Sequence, residues 1–264
     1  MFCRALLIAI AALSAGCSGP AEEPAQPEGR WVDLTHELAE DSPFWPTAEG
    51  FRHEVASYGP TPGGWFYSSY NLQLSEHGGT HVDAPIHFAA GRQTTDQIPL
   101  DRLIGPAAVI DVSKQSAANR DYRFTVADVE NWEKANGPLP DRAILLFHTG
   151  FSKYWPDRQR YMGTDERGPE AVARLHFPGL SEELARFLVE QRKVAAVGLD
   201  TPSLDHGQSK DFIAHRILLG ADIPGFENVA DLHLLPAKGA TVVALPVKIK
   251  DGSGGPLRIV AKLP

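Results

Sequence analysis

The chain has 264 residues, of which 43% are hydrophobic, so it can bury the core of one large or two small domains. Its 25 Lys and Arg residues against 33 Asp and Glu residues give a formal net charge of −8. No run of basic residues occurs anywhere along the chain, which argues against binding to nucleic acid or to an anionic membrane surface.

The first 17 residues have the pattern of a bacterial lipoprotein signal. Arg4 gives a positive start, residues 5–13 are apolar, and the small residues 14–16 precede Cys17. Lipidation of Cys17 after cleavage would anchor the chain, and Ser18 behind it favours the outer membrane, facing the periplasm. Two alternatives stay open, an ordinary secretory signal or an N-terminal transmembrane anchor, although the apolar run is short for a span.

A tether and one folded domain follow this signal. Residues 18–30 hold almost no large apolar side chain and are rich in Pro and Glu, which predicts a flexible linker. Residues 31–264 have mixed composition with no linker and no repeat, so we predict a single domain there. Because Cys3 and Cys17 both precede it, the mature domain would have no disulfide and no thiolate nucleophile or ligand.

Strand and helix patterns alternate in this domain and predict an α/β fold with a mixed sheet. Runs rich in Leu and β-branched residues predict strands at residues 107–112, 143–148, 195–199, 241–249 and 257–261. Two of these runs are apolar without alternation, as is typical of strands buried on both faces. Helices are predicted from Thr125 to Ala135, from Ser181 onward, and from Ser209 to Leu219.

Three histidines and an aspartate cluster in residues 76–88, EHGGTHVDAPIHF, as His77, His81, Asp83 and His87. The Gly-Gly pair disfavours a helix and lets the backbone fold closely around an ion. In an extended chain, His81 and Asp83 point to the same side. Imidazoles with a carboxylate suit Zn²⁺, Mn²⁺ or Fe²⁺ better than Ca²⁺ or Mg²⁺. The spacing predicts a metal centre but does not separate a hydrolytic metal from a facial-triad iron.

The stretch HGGTHVDAPIH resembles the signature of the cyclase family, roughly H-x-G-T-H-x-D-x-P-x-H, a family that includes bacterial kynurenine formamidases and isatin hydrolases. The resemblance extends over nearly the whole mature chain and includes SPFWP at residues 42–46 and GLDTPSLD at residues 198–205. It implies a swivelling β/β/α fold and a homodimer. It also implies a metal-dependent hydrolase that cleaves a carbon–nitrogen bond in a small amide, formamide or cyclic amide.

The resemblance further implies which residues form the site. Two residues of the second half of the chain complete a ligand set of His77, His81, Asp83, His215 and Glu227. Five ligands favour two ions, or one octahedral ion, of Zn²⁺ or Mn²⁺. His87 corresponds to the family's catalytic acid/base, which takes a proton from the nucleophilic water and delivers it to the leaving nitrogen. The alternative is that His87 is a further ligand or supports one.

Two further expectations concern the surroundings of the metal. Asp200 ends a predicted strand and would either support a ligand histidine or cap a turn. Phe44, Trp45 and Phe66 precede the metal motif, and the resemblance implies that the SPFWP loop and its neighbours lie near the substrate. Their rings would then stack on a planar aryl amide, or else pack in the core or at a dimer interface. Export counts against N-formylkynurenine as the natural substrate and favours a cyclic amide of the isatin type.

Two other classes of protein compete with this interpretation. A non-heme iron oxygenase could use His81, Asp83 and His215 as its triad, but that leaves His77 and Glu227 unexplained. A lipoprotein that binds metal or a small ligand without catalysis would not need His87. Serine hydrolase chemistry is disfavoured because the chain has no G-x-S-x-G nucleophile elbow.

Overall fold

The computed structural model describes residues 29–264, so the predicted signal sequence, Cys17 and nearly all of the 18–30 linker lie outside the described residues. The strands are β1 (Trp31–Asp33), β2 (Arg52–Pro60), β3 (Phe66–Gln73), β4 (His81–Asp83), β5 (Ile104–Asp111), β6 (Arg123–Phe124), β7 (Ile144–His148), β8 (Gly179–Leu180), β9 (Ala196–Leu199), β10 (Gly225–Glu227), β11 (Lys238–Pro246) and β12 (Gly254–Lys262). The α-helices are α1 (Leu100–Leu103), α2 (Ser113–Ala118), α3 (Val126–Asn136), α4 (Arg158–Met162), α5 (Pro169–Val172), α6 (Glu182–Phe187) and α7 (Ile213–Gly220).

Eight strands form one mixed sheet in the order β1-β12-β11-β5-β7-β9-β10-β4. The central strands β5, β7, β9 and β10 are parallel, and the others pair antiparallel. One half of β12 pairs with β1 and the other half with β4, which closes seven of the strands into a barrel-like sheet. The predicted α/β class and mixed sheet are therefore confirmed.

The uninterrupted apolar run of β7 is explained by two hydrophobic cores, one on each side of the sheet. Ile144 and Leu146 point into a core enclosed by the curved sheet, together with residues of β4, β11 and β12. Leu145 and Phe147 point into a second core, which α3, α6 and α7 cover. All four side chains are fully buried, as the absence of alternation predicts for a strand with two covered faces.

Two of the three predicted helices begin at the predicted capping residue. Thr125 caps α3 in a reciprocal capping box with Asp128, and Ser181 caps α6 by accepting the Leu184 N–H. The third helix, α7, begins at Ile213 rather than Ser209. Before it, Phe212 has a left-handed backbone with φ of 50°, so the chain makes a turn first.

The hairpin of β2 and β3 was not predicted. Its two strands pair with each other and with no other strand of the described residues. Tyr58, Phe66 and Tyr70 lie on it with close ring contacts, and they are 68%, 61% and 38% exposed. Phe66, a predicted substrate contact, therefore lies on an exposed hairpin.

Within residues 29–264, no helix combines the length and the apolar character needed to cross a bilayer.

Candidate metal centre

The short strand β4 places two of the predicted ligands on one side of the sheet. His81 and Asp83 alternate with Val82, whose side chain is fully buried in the core enclosed by the sheet. β4 lies between β10 and β12, and its His81 is directly opposite Glu227 of β10. The predicted extended conformation thus brings His81, Asp83 and Glu227 to one place.

The loop before β4 folds closely, as the Gly-Gly pair predicts. Gly79 has φ of +64°, and its carbonyl accepts a hydrogen bond from His81 Nδ1 at 3.0 Å. A Cβ at Gly78 would lie 2.0 Å from the ring of Phe44. Phe44 is 1% exposed, so this predicted substrate contact instead packs in the core, where it supports the ligand loop.

All five predicted ligands converge. The Nε2 atom of His215, which α7 carries, lies 3.1 Å from Asp83 Oδ2 and 3.0 Å from Glu227 Oε1. His81 Nε2 lies 3.2 Å from Asp83 Oδ1 and 3.5 Å from Glu227 Oε2. His77 Nδ1 lies 2.7 Å from Asp83 Oδ1. Asp83 therefore stands at the centre, in contact with three imidazoles.

One buried atom shows that this cluster fits a cation. His81 Nε2 is buried and makes no hydrogen bond within residues 29–264, although the carboxylates of Asp83 and Glu227 face it. Because Gly79 accepts the proton of Nδ1, the lone pair of Nε2 is directed at those carboxylates. Lone pairs and carboxylate oxygens gathered in a buried space are the donor set that Zn²⁺ and Mn²⁺ take.

The electrostatics of the cluster are dominated by its carboxylates. Burial opposes the charged imidazole of His215, but hydrogen bonds to Asp205, Asp83 and Glu227 outweigh it and raise the pKa well above the usual range. Burial also opposes the charged carboxylate of Asp83, but the neighbouring imidazoles of His215, His77 and His81 outweigh it and hold its pKa well below the usual range. Burial, followed by the charge of Asp83, raises the pKa of Glu227. The site strongly favours positive charge at its centre.

Asp205 ends the GLDTPSLD segment, but the sequence analysis gave it no role of its own. Its Oδ2 accepts a 2.6 Å hydrogen bond from His215 Nδ1, and its carboxylate also accepts the backbone N–H groups of Ala214 and His215. This directs the Nδ1 proton of His215 to Asp205, so a neutral ring has its lone pair on Nε2, the atom that faces Asp83 and Glu227. Asp200, which was considered for such support, instead accepts the N–H groups of Thr149 and Gly150, so the turn-capping alternative is what the structure shows.

His87 lies at the edge of the cluster, on the short 3-10 turn that starts at Pro85. Its ring stacks on His77 with 3.8 Å between centroids. Burial lowers the pKa of His87 to about 4, so the imidazole is neutral at neutral pH. His77, Asp83 and His87 also form one group that could hold an ion, and His81, Asp83 and Glu227 form another. Asp83 is common to both groups.

A cavity of about 280 Å³ opens beside these ligands. Trp45, Phe88 and Phe212 supply aromatic walls, with the Phe212 ring 5.3 Å from Phe88 and 6.0 Å from Trp45. Of the three aromatic residues predicted to contact substrate, only Trp45 lines this cavity. Phe66 does not line it within one chain. Phe88 directly follows the metal motif, and Phe212 precedes His215 by three residues, but neither position has a sequence signal that separates it from core packing.

Comparison with known proteins shows which family the chain is similar to. The Cyclase family model matches residues 32–206. The chain is 32% identical to isatin hydrolase of Roseibium aggregatum over 249 residues, covering 88% of this chain and 91% of the relative. It is 32% identical to kynurenine formamidase of Salinibacter ruber over 192 residues, covering 73% and 78%.

The chain also superposes on solved structures of isatin hydrolases. Isatin hydrolase A from Labrenzia aggregata, bound to benzyl benzoate, superposes with a TM-score of 0.80 at 36% identity, covering 89% of this chain and 93% of that one. An isatin hydrolase bound to the product analogue thioisatinate superposes with a TM-score of 0.79 at 30% identity, covering 90% and 93%. The family model covers well over half of the chain, so this protein belongs to the cyclase family.

Proposed function

We propose that this protein is a metal-dependent hydrolase that cleaves a carbon–nitrogen bond in a small amide, formamide or cyclic amide. The observation that carries the proposal is the buried cluster of three histidines and two carboxylates, which opens into an aromatic cavity. The names of the relatives, isatin hydrolase and kynurenine formamidase, support this reaction class. We propose a cyclic aryl amide as the preferred substrate, since a cavity of about 280 Å³ with aromatic walls suits a compact planar ring.

The predicted ligands fit one or two ions of Zn²⁺ or Mn²⁺, with Asp83 common to both candidate groups. A divalent ion there supplies a Lewis acid and makes water more acidic. His87 is neutral, so it can take a proton from the attacking water and pass it to the leaving nitrogen. Trp45 and Phe212 orient the planar substrate beside these groups.

The oxygenase alternative uses fewer of the converging residues. It needs only His81, Asp83 and His215, whereas His77 and Glu227 contact the same centre.

Hydrolysis of isatin, N-formylkynurenine and matched aliphatic amides by the Zn²⁺- or Mn²⁺-loaded protein tests the proposal. We expect turnover of at least one aryl amide, abolished by chelation. Turnover of none of these amides, or oxygen consumption by an iron-loaded form, would count against it.

The aromatic pocket gives a separate prediction. Trp45→Ala is expected to raise KM for an aryl amide more than it lowers kcat, because the ring lines the cavity but is not one of the predicted metal ligands. Trp31→Ala is the control, since Trp31 lies on β1 and does not line the cavity. Steady-state kinetics of both variants measure the effect. Unchanged KM in the Trp45 variant, or turnover restricted to aliphatic amides, would remove the aromatic-pocket interpretation and leave the metal site standing.

We propose that the chain forms a homodimer through the hairpin of β2 and β3. An isolated two-stranded hairpin is marginally stable in water, and its Tyr58 and Phe66 form an exposed aromatic surface. A two-fold contact with the same surface of a second chain would cover both. The double variant Tyr58→Glu/Phe66→Glu should sediment as a monomer, whereas Val247→Glu, which charges an exposed site outside the hairpin, should not change the mass. A monomeric wild type would contradict the proposal.

We further propose that the protein is exported and anchored by lipid at Cys17 to the outer membrane, facing the periplasm. The proposal rests on the sequence of residues 1–18 alone. Fractionation of cells that produce the full chain tests it, with membrane association of the wild type and its loss in Cys17→Ser as the expected result. An uncleaved chain in the cytosol would contradict export.

A further inference from the structure

His77 differs from the other two ligand histidines in how its ring is held. Its side chain is 21% exposed, against 3% for His81 and 4% for His215. One ring nitrogen of His77 contacts Asp83, and the other contacts Ser253, which lies just before β12 and far from the metal motif in the sequence. His77 Nε2 lies 2.9 Å from Ser253 Oγ, and Ser253 Oγ lies 2.6 Å from Glu76 Oε2.

Glu76, the last member of this series of hydrogen bonds, determines which atom of each pair donates. An ionised carboxylate can only accept, and Glu76 Oε2 accepts both the backbone N–H of Ser253, at 2.9 Å, and its hydroxyl. The single hydroxyl proton of Ser253 is thereby used. Its oxygen can then only accept from His77, so His77 Nε2 carries a proton. A neutral imidazole with a proton on Nε2 has its lone pair on Nδ1, the atom that lies 2.7 Å from Asp83 Oδ1.

The backbone next to Ser253 closes the other side of this arrangement. A Cβ at Gly254 would lie 2.6 Å from His77 Cε1 and 3.0 Å from His77 Nδ1. A Cβ at Gly252 would lie 3.1 Å from Glu76 Oε1. The histidine ring and the carboxylate thus pack directly on a glycine–serine–glycine segment. This packing restricts rotation of the His77 ring independently of the hydrogen bonds.

We propose that Glu76 and Ser253 are positioning residues, which keep the proton of His77 on Nε2 and direct its Nδ1 toward the metal. His77 would then ligate through Nδ1, whereas His81 and His215, whose Nδ1 protons go to Gly79 and Asp205, ligate through Nε2. His77 is the most exposed of the three ligand histidines, so we expect its orientation to depend more on these hydrogen bonds than that of the buried His81 and His215. The inference rests on the proposed metal site but not on any substrate.

The test compares metal binding rather than catalysis. Ser253→Ala removes the acceptor, and we expect it to weaken the affinity for Zn²⁺ about 10- to 100-fold, the usual effect of losing a hydrogen-bond partner of a ligand. Ser253→Thr keeps the hydroxyl and is expected to restore most of the affinity. The Co²⁺-loaded protein supplies a spectroscopic readout, because the visible absorption of cobalt changes when a nitrogen ligand is lost or reoriented. Competition with a chelator measures the affinity of each variant.

Thr95 provides a matched control. Its hydroxyl donates to the carbonyls of Gly252 and Gly254, so it holds the same segment without touching His77. Thr95→Val should leave the cobalt spectrum unchanged if Ser253 acts on His77. Equal spectral and affinity changes in both variants, or none in Ser253→Ala, would overturn the inference. Failure of the wild type to bind metal would overturn the metal centre as well, whereas failure of the amide assays alone would leave this inference intact.

The tautomer can also be measured directly. Long-range ¹H–¹⁵N spectra of the Zn²⁺-loaded protein distinguish a protonated Nε2 from a protonated Nδ1. We expect one ligand histidine, His77, to carry its proton on Nε2 and two to carry it on Nδ1. Three ligand histidines of the same tautomer would contradict the assignment, even if the Ser253 variants folded poorly.

Discussion

His81→Ala and Asp83→Ala are each expected to abolish stoichiometric binding of Zn²⁺ or Mn²⁺ and, with it, amide hydrolysis. Both side chains are buried, and Asp83 contacts the imidazoles of His77, His81 and His215, so its loss removes the centre of the ligand set. Remaining ligands do not compensate, because each ion needs about four donors in a fixed geometry. The metal-to-protein ratio after dialysis, measured by mass spectrometry, is the primary readout.

A matched control separates loss of a ligand from loss of any histidine. His233 lies on the surface near Asp231, outside the ligand cluster, so His233→Ala should keep full metal content and activity. Asp83→Asn preserves the shape of the side chain and guards against misfolding, which far-UV circular dichroism would reveal. Full metal occupancy in both His81→Ala and Asp83→Asn would show that the ion binds elsewhere.

Where local rules determine structure, the sequence predicted it. The β7 strand followed from a run that is apolar on both faces, and α3 followed from the reciprocal cap of Thr125 and Asp128. The start of α7 was placed four residues too early, because Ser209 precedes a turn rather than capping the helix. Ser209 Oγ accepts the N–H of Phe212, whose left-handed backbone delays the first helical turn. Sequence periodicity alone does not encode that turn.

In the candidate site, too, local spacing predicted some contacts, whereas others depend on residues far apart in the sequence. His81 and Asp83 could be placed together from their spacing in an extended strand. His215 and Glu227 are 132 and 144 positions beyond Asp83, so only the family resemblance connected them with it. Asp205 was given no role, because its contact with His215 depends on how the loop before α7 folds back onto that histidine. Contacts between distant segments depend on the closed sheet, which no local pattern predicts.

The aromatic residues show the limit of reasoning from proximity in sequence. Phe44 and Trp45 are neighbours, yet Phe44 packs against Gly78 in the core and Trp45 lines the cavity. Phe66 was grouped with them because it also precedes the metal motif. It lies instead on a hairpin whose two strands are mostly exposed, so neither face of the hairpin packs on a core. Burial of each ring depends on tertiary structure that aromatic content does not predict.

His87→Ala is expected to keep the metal while lowering kcat for an aryl amide about 10²- to 10⁴-fold, the usual effect of losing a general acid/base. His87 lines the cavity, and burial keeps its pKa at about 4. A lowered pKa means that the ring loses its proton above about pH 4, so the imidazole is neutral throughout the neutral range. An ion held by His81, Asp83 and Glu227 would not need His87, because His87 is not part of that candidate group.

The rival role for His87 is ligation, because it forms one candidate group with His77 and Asp83. Metal content decides between the two: loss of one equivalent in His87→Ala would make it a ligand, whereas full content with low kcat supports proton transfer. Added imidazole should restore part of the lost activity only in the second case, since it can replace a mobile base in the vacated space. His233→Ala, at the exposed histidine used above, controls for surface effects and should match the wild type in both metal content and kcat.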